Sequence, residues 1–256
     1  MNREQFRAYV ALGDSLSIGV YPQADLEEND PEATRAILAP DALGAPGLLV
    51  TNQSKLFPEF SGRDLISQGL VRYQLLATDG ATCPDVLANQ LPRLQPSNDA
   101  DLLITLTVGG NDLLMAFLGV SSLMNTLIRV IRQRYDELVA AIRYRFPRAL
   151  LILTTVYDPT DDSGNLAISE LRGLPAEHLR KLANLPLVFL HQFNRHLRET
   201  ARRDPRIRLA DAQAHFLGHG LSAPPAEQWY WRHSPIEPNL RGASELRRLW
   251  LQAIDL

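Results

Sequence analysis

Five stretches of the chain read as β-strands. Residues 9–12 form an apolar run that ends at Gly13, and 71–77 ends at Thr78-Asp79-Gly80. The runs at 101–108 (DLLITLTV) and 150–156 (LLILTTV) are almost unbroken apolar segments, as expected of strands buried on both faces. A short fifth strand, 207–210, suits a sheet edge. Between them the pattern turns helical. Residues 83–94 predict a helix with Thr82 as N-cap, Pro84 at its start and Pro92 ending or kinking it. A helical stretch runs from Leu113 to about Tyr144, broken near Gly119. Leu127, Val130, Ile131, Leu138 and Ile142 fall near helical spacing in its second part, and Pro147 stops it. Residues 187–203 and 242–254 predict two more helices. Two segments carry no period. Residues 21–69 contain Pro22, Pro31, Pro40, Pro46 and Pro58, with a short helix over 32–38. That is too long for an ordinary connection, so a functional lid or an ordered insertion is expected. Residues 221–239 form a loop rich in proline and tryptophan. Buried strands alternating with helices imply a three-layer α/β fold, a parallel sheet covered on both faces.

Composition narrows the picture. The 256 residues allow one large domain or two small ones, and the absence of an internal repeat or linker favours a single domain over 1–256. Hydrophobic residues make up 45% and charged residues 21%, which excludes disorder of the whole chain. The net charge is −3, and arginines interleave with acids while Lys55 and Lys181 are the only lysines. A nucleic-acid partner would call for a basic balance or stripe. The single cysteine, Cys83, can make neither an internal disulfide nor a thiolate metal site, and reads as a packing residue. No apolar run reaches the roughly 18 residues of a membrane span, and the first residues carry no secretory pattern, so a cytoplasmic location is expected. No metal-ligand spacing, P-loop or GxGxxG motif is present, so neither metal nor organic cofactor is expected.

Candidate chemistry sits at three predicted strand ends, where ligands bind in open α/β sheets. These are Gly13-Asp14-Ser15-Leu16-Ser17, Asp79-Gly80-Ala81-Thr82 and Gly109-Gly110-Asn111-Asp112. A serine just past a strand is exposed and rigid, with its N–H at a helix start. A glycine lets its N–H approach a ligand. An asparagine amide donates without titrating. Asp14 suits a bond within its own turn. Together these blocks resemble the GDSL/SGNH serine hydrolases, a family of esterases, lipases and acyl hydrolases. The resemblance implies a flavodoxin-like five-stranded parallel sheet, Ser15 as nucleophile, and an oxyanion hole of Ser15, Gly80 and Asn111.

The last family block departs from the pattern. The family has an aspartate, two residues, a histidine, then often Pro-Asn and a glycine. Here the stretch is Ser234-Pro235-Ile236-Glu237-Pro238-Asn239-Leu240-Arg241-Gly242, with Ser234 at the aspartate position and Glu237 at the histidine position. Four readings stand side by side. Glu237 acts as the base, with burial raising its ordinary value of about 4.3; His233 swings in and Glu237 orients it; His215 or His219, after the last strand, reaches the site; or the chain is a degenerate hydrolase that only binds. His178, His191 and His196 fall on helices and read as surface or core residues. Trp229 and Trp231, with Tyr230 between them, and Phe57 and Phe60 in the long insertion, could wall an acyl pocket or anchor their loops. The expected activity is hydrolysis of a small-molecule ester; an acyltransferase of the same family and a non-catalytic binding protein are the alternatives.

Overall fold

The computed structural model describes residues 5–37, 39, 41–118, 123–166 and 183–256. Five strands, β1 (Ala8–Gly13), β2 (Arg72–Leu75), β3 (Leu102–Thr107), β4 (Leu150–Thr154) and β5 (Ile207–Ala210), make one parallel sheet in the order β2-β1-β3-β4-β5. The three central strands are buried along their whole length, which is why their sequences are unbroken apolar runs. β2 and β5 are the edges; β2 alternates exposed with half-buried residues, and its core stays short.

Side chains alternate across the sheet and supply two cores. Val10, Leu12, Ile104 and Leu151 point to one face, where Ile131, Leu138 and Phe193 meet them from the helices Met124–Arg145 and Leu187–Arg203. Tyr9, Ala11, Leu103 and Ile152 point to the other, covered by the helices Ala45–Val50 and Leu240–Ala253. There the Trp250 indole N–H donates to the Thr154 hydroxyl at 3.0 Å, inside the core.

The helix Leu187–Arg203 and strand β5 occupy their expected spans. Helices end at Leu118 and resume at Met124, bracketing the expected break; Gly119 itself lies outside the described residues. The described residues of the 21–69 segment pack against the body of the fold rather than forming an open loop. The segment carries the helices Val20–Asn29, Pro31–Arg35 and Ala45–Val50, and buries Leu43, Leu48, Leu49, Phe57 and Phe60 against the second core. Phe57 and Phe60 are therefore core residues; Arg247 lies over the Phe60 ring at 3.7 Å.

Two expected elements differ. Residues 83–94 are not one α-helix: a turn at Cys83–Asp85 widens into a π-turn at Val86–Gln90 and tightens at Leu91–Arg93. Pro92 has no N–H to continue an α ladder, and the widened turn delivers Gln90 to β1. There its amide accepts from Gly13 N–H at 2.9 Å and donates to Gly13 O at 2.7 Å. The 221–239 segment is not all loop. It holds an antiparallel ribbon, β6 (Tyr230–Trp231) and β7 (Ser234–Pro238), apart from the main sheet. A two-stranded ribbon is all edge, so Pro235 and Pro238 are tolerated in it. Among the described residues no helix is long and apolar enough to cross a membrane.

Candidate active site

The chain leaves β1 toward β2 on one side and β3 toward β4 on the other, so a crevice opens between the carboxyl ends of β1 and β3. The turn Ser15–Ser17 starts at that point. Asp14 N–H donates to Thr107 O at 2.8 Å, and the Ser17 and Thr107 hydroxyls are 2.8 Å apart, so the ends of β1 and β3 are stapled together. The Asp14 carboxylate accepts from Leu16 N–H at 3.2 Å and so closes its own turn. Ser15 is held on this rigid turn at the crevice.

Gly80 sits in the turn after β2 at φ +69, and the space where a side chain would stand is open. Asn111 is in the first turn of the helix Gly110–Leu118, directly after β3. Its amide donates to Ala81 O at 3.1 Å, and Asp112 accepts from Cys83 N–H at 2.9 Å. These two bonds tie the loop after β3 to the loop after β2. Neither the Ser15 nor the Gly80 N–H is hydrogen-bonded to another described residue. Cys83 is buried, and burial beside Asp112 pushes its thiol well above the ordinary range, as suits a packing residue.

Glu237 comes to the crevice on β7 and is 6% exposed. The Ser15 side chain lies beside its carboxyl and favours the ionised form, while Oε2 is buried with no hydrogen-bond partner among the described residues. Burial pushes Glu237 up to about 8; the Ser15 side chain beside it opposes this, and the Asp14 and Asp79 carboxylates add to it. Asp14, fully enclosed, is raised to about 7, again chiefly by burial. The Tyr157 hydroxyl donates to Ile236 O at 2.9 Å and fixes the strand beside Glu237.

No described histidine lines the crevice. His233 lies in the ribbon's turn, 3.1 Å from Glu28 and 3.0 Å from the Arg232 guanidinium, so it does not partner Glu237. His219 stacks on Trp229 at 3.6 Å with its Nδ1 2.9 Å from Glu227 O, and His215 lies 2.9 Å from Glu245. His191 and His196, 3.2 Å from Asp162 and 2.7 Å from Asp136, sit on the helix 187–203 as expected; His178 lies outside the described residues. The tryptophans do not line the crevice either. Trp229 is core, edge-on to Phe216 at 5.0 Å, because the loop needs an anchor between the helix ends. Trp231 packs on Tyr21 at 5.5 Å.

Ser15, Asn111 and Glu237 instead share a cavity of about 120 Å³ with Asp14, Tyr157, Ile236 and an apolar wall of Leu113, Leu114, Phe117, Val156 and Leu190. Sequence reasoning missed Tyr157 and Ile236. Tyr157 follows the carboxyl end of β4, so the strand-end rule that located Ser15 could have found it. Among the described residues, no group of three or more His, Cys, Asp or Glu could hold a metal ion.

The family model for GDSL-like lipase/acylhydrolase matches residues 9–241. No curated protein matches the chain. Among solved structures, an extracellular lipase from Streptomyces rimosus is 22% identical, with 96% of this chain and 99% of that one covered, at a TM-score of 0.55. A phospholipase A1 from Streptomyces albidoflavus NA297 is 20% identical, covering 96% and 98%, at 0.57. An acetyl xylan esterase from Geobacillus stearothermophilus is 17% identical, covering 99% and 97%, at 0.55. At these identities the likeness is one of fold: the α/β arrangement with a five-stranded parallel sheet.

Proposed function

Because the chain belongs to the GDSL-like lipase/acylhydrolase family, we propose that it hydrolyses carboxylic esters with Ser15 as nucleophile and Glu237 as the general base. One observation carries this reading: the Glu237 carboxyl is buried and opens, together with Ser15, on the same cavity.

The ionised carboxylate takes the Ser15 proton as Oγ attacks the ester carbonyl carbon. Negative charge gathers on the carbonyl oxygen. The Ser15 and Gly80 N–H groups and the Asn111 amide donate to it in a site from which the apolar wall excludes water. The intermediate collapses, protonated Glu237 gives its proton to the departing alkoxide, and the acyl group stays on Ser15. Water then repeats the two steps, leaving a carboxylic acid and free Ser15. A glutamate at its ordinary value would be a poor match for a serine hydroxyl. At about 8 it is a stronger base, and about a tenth of the molecules hold it ionised at pH 7.

A fluorophosphonate probe and a series of p-nitrophenyl esters test the reading. One equivalent of probe is expected on the wild type and none on Ser15→Ala, with ester turnover lost in parallel. Turnover that survives in Ser15→Ala would overturn the nucleophile. Neither labelling nor turnover in the wild type would leave a binding protein on a hydrolase fold.

A further inference from the structure

The helix Val20–Asn29 grips the site from outside. At its start Gly19 N–H donates to Asp41 Oδ1 at 2.7 Å; further along, Asp25 accepts from Leu240 N–H at 3.1 Å, and Glu28 holds Arg232 and His233 at the ribbon's turn. Its second residue, Tyr21, makes two contacts that these anchors do not require. The Tyr21 hydroxyl donates to Asp79 Oδ2 at 3.0 Å, and its ring packs on Trp231 in β6, the strand paired with β7. Asp79 immediately precedes Gly80, whose loop is exposed at 78–80 and held otherwise by Thr78 N–H on Gly13 O at 3.1 Å, Ala81 N–H on Thr78 O at 3.3 Å, Gln90 on the Thr78 hydroxyl at 3.2 Å and Asn111 on Ala81 O.

We propose that Tyr21 is a positioning residue: through Asp79 and Trp231 it fixes the Gly80 loop relative to the ribbon that carries Glu237. Its catalytic meaning rests on the reading of Ser15 and Glu237 given above; its structural content does not. An oxyanion donor on one loop and a base on another must keep their spacing through the reaction, and a small displacement of either is expensive in rate. Tyr21 touches both supports.

The charges around Glu237 make the link measurable. Asp14 faces it from the turn after β1, Asp79 from the loop after β2, the Tyr21 hydroxyl from the helix, and Tyr157 from the end of β4. Asp79 is the one that Tyr21 holds, and as a like charge it disfavours ionisation of Glu237.

Carboxyl ¹³C NMR, with the Glu237 signal assigned by its loss in Glu237→Gln, and amide hydrogen exchange over residues 78–82 are measured on wild type, Tyr21→Phe, Asp79→Ala and the double variant. Each single variant is expected to speed exchange about fivefold at Thr78 and Ala81, whose N–H groups are bonded to Gly13 O and Thr78 O, the equivalent of one ordinary hydrogen bond. The double variant should add nothing further, since both remove the same bond. Asp79→Ala should also lower the Glu237 midpoint by about half a pH unit. Where esters are turned over, kcat falls several-fold in both single variants while KM stays within about twofold. Wild-type exchange in Tyr21→Phe, additive effects, or an unmoved Glu237 midpoint in Asp79→Ala would overturn the proposal. If exchange and titration shift as stated while the wild type turns over no ester, the positioning role stands and the hydrolase reading falls.

Discussion

At the scale of single residues the site turns on one substitution of chemistry, a carboxyl where the family places an imidazole. Glu237 is pushed up to about 8 chiefly by burial, so the ionised form that accepts the Ser15 proton grows as pH rises. The kcat/KM of the wild type should therefore climb with pH and level off above about 8. An imidazole base of ordinary value would level off near 7. Replacing Glu237 by glutamine keeps the shape and removes the base. A loss of about 10²–10⁴-fold in kcat/KM with the pH dependence flattened is expected, read from p-nitrophenyl ester kinetics. His233→Ala should stay within about twofold of wild type, because His233 is spent on Glu28. A large loss in His233→Ala would return the histidine to the mechanism. Asn111→Ala should lower kcat by about 10²–10³-fold, the usual weight of one oxyanion donor.

At the scale of elements, the loops at the strand ends set what the residues can do. Gly80 and Gly109 both have positive φ, but for different reasons. At Gly80, φ +69, the space for a Cβ is empty, so alanine meets only backbone strain and should cost about 1–2 kcal/mol. At Gly109, φ +113, a Cβ would run into the buried Phe193 ring, so alanine adds overpacking to strain and should cost about 2–4 kcal/mol. Urea unfolding of the two variants separates the cases. These loops were legible because each follows an apolar run that only a buried strand explains. β1, β3 and β4 are visible for that reason, and the amphipathic helix 187–203 for its period. The ribbon was hidden because Pro235 and Pro238 argue against a strand, and because its partner is only Tyr230–Trp231. The widened turn at Val86–Gln90 answers a demand from β1, through Gln90 and Gly13, that no local pattern encodes. Trp229 misled for a related reason: an aromatic beside a site block looks the same in sequence whether it walls a pocket or anchors a loop. The apolar wall comes from three separate segments, at 113–117, 156 and 190, so its membership follows only from the assembled fold.

At the scale of the whole molecule, placing two carboxyls in the crevice makes stability depend on pH in an unusual direction. Asp14 and Glu237 have folded values of about 7 and about 8, against 3.8 and 4.5 for the free groups. Between those limits the folded protein binds more protons than the unfolded chain, so stability falls as pH rises. Their contribution is complete below about pH 4 and is lost as pH passes through 7 and 8. The Asp14 charge adds to the rise of Glu237. Elsewhere the sign is reversed. Arg248, Arg241 and His215 surround Glu245 and hold it at about 2, against 4.5 in the free group, and the Arg198 guanidinium lowers Asp211. Their contribution is present above about pH 4.5 and is lost in acid. The two trends leave a stability maximum in mildly acidic solution, on the acid side of the pH at which the proposed base is ionised. Glu237→Gln tests this directly, since it removes the charge that must be buried at high pH. Its Tm should exceed that of wild type at pH 9, by an amount on the order of a few kcal/mol of stability, and the gap should close at pH 4.5. A gap that is constant with pH would mean that the variant acts through packing alone. A wild type that is most stable at pH 9 would mean that Glu237 and Asp14 are not held protonated in the folded state. Activity and stability would then share an optimum, whereas the buried carboxyl pair sets them against each other.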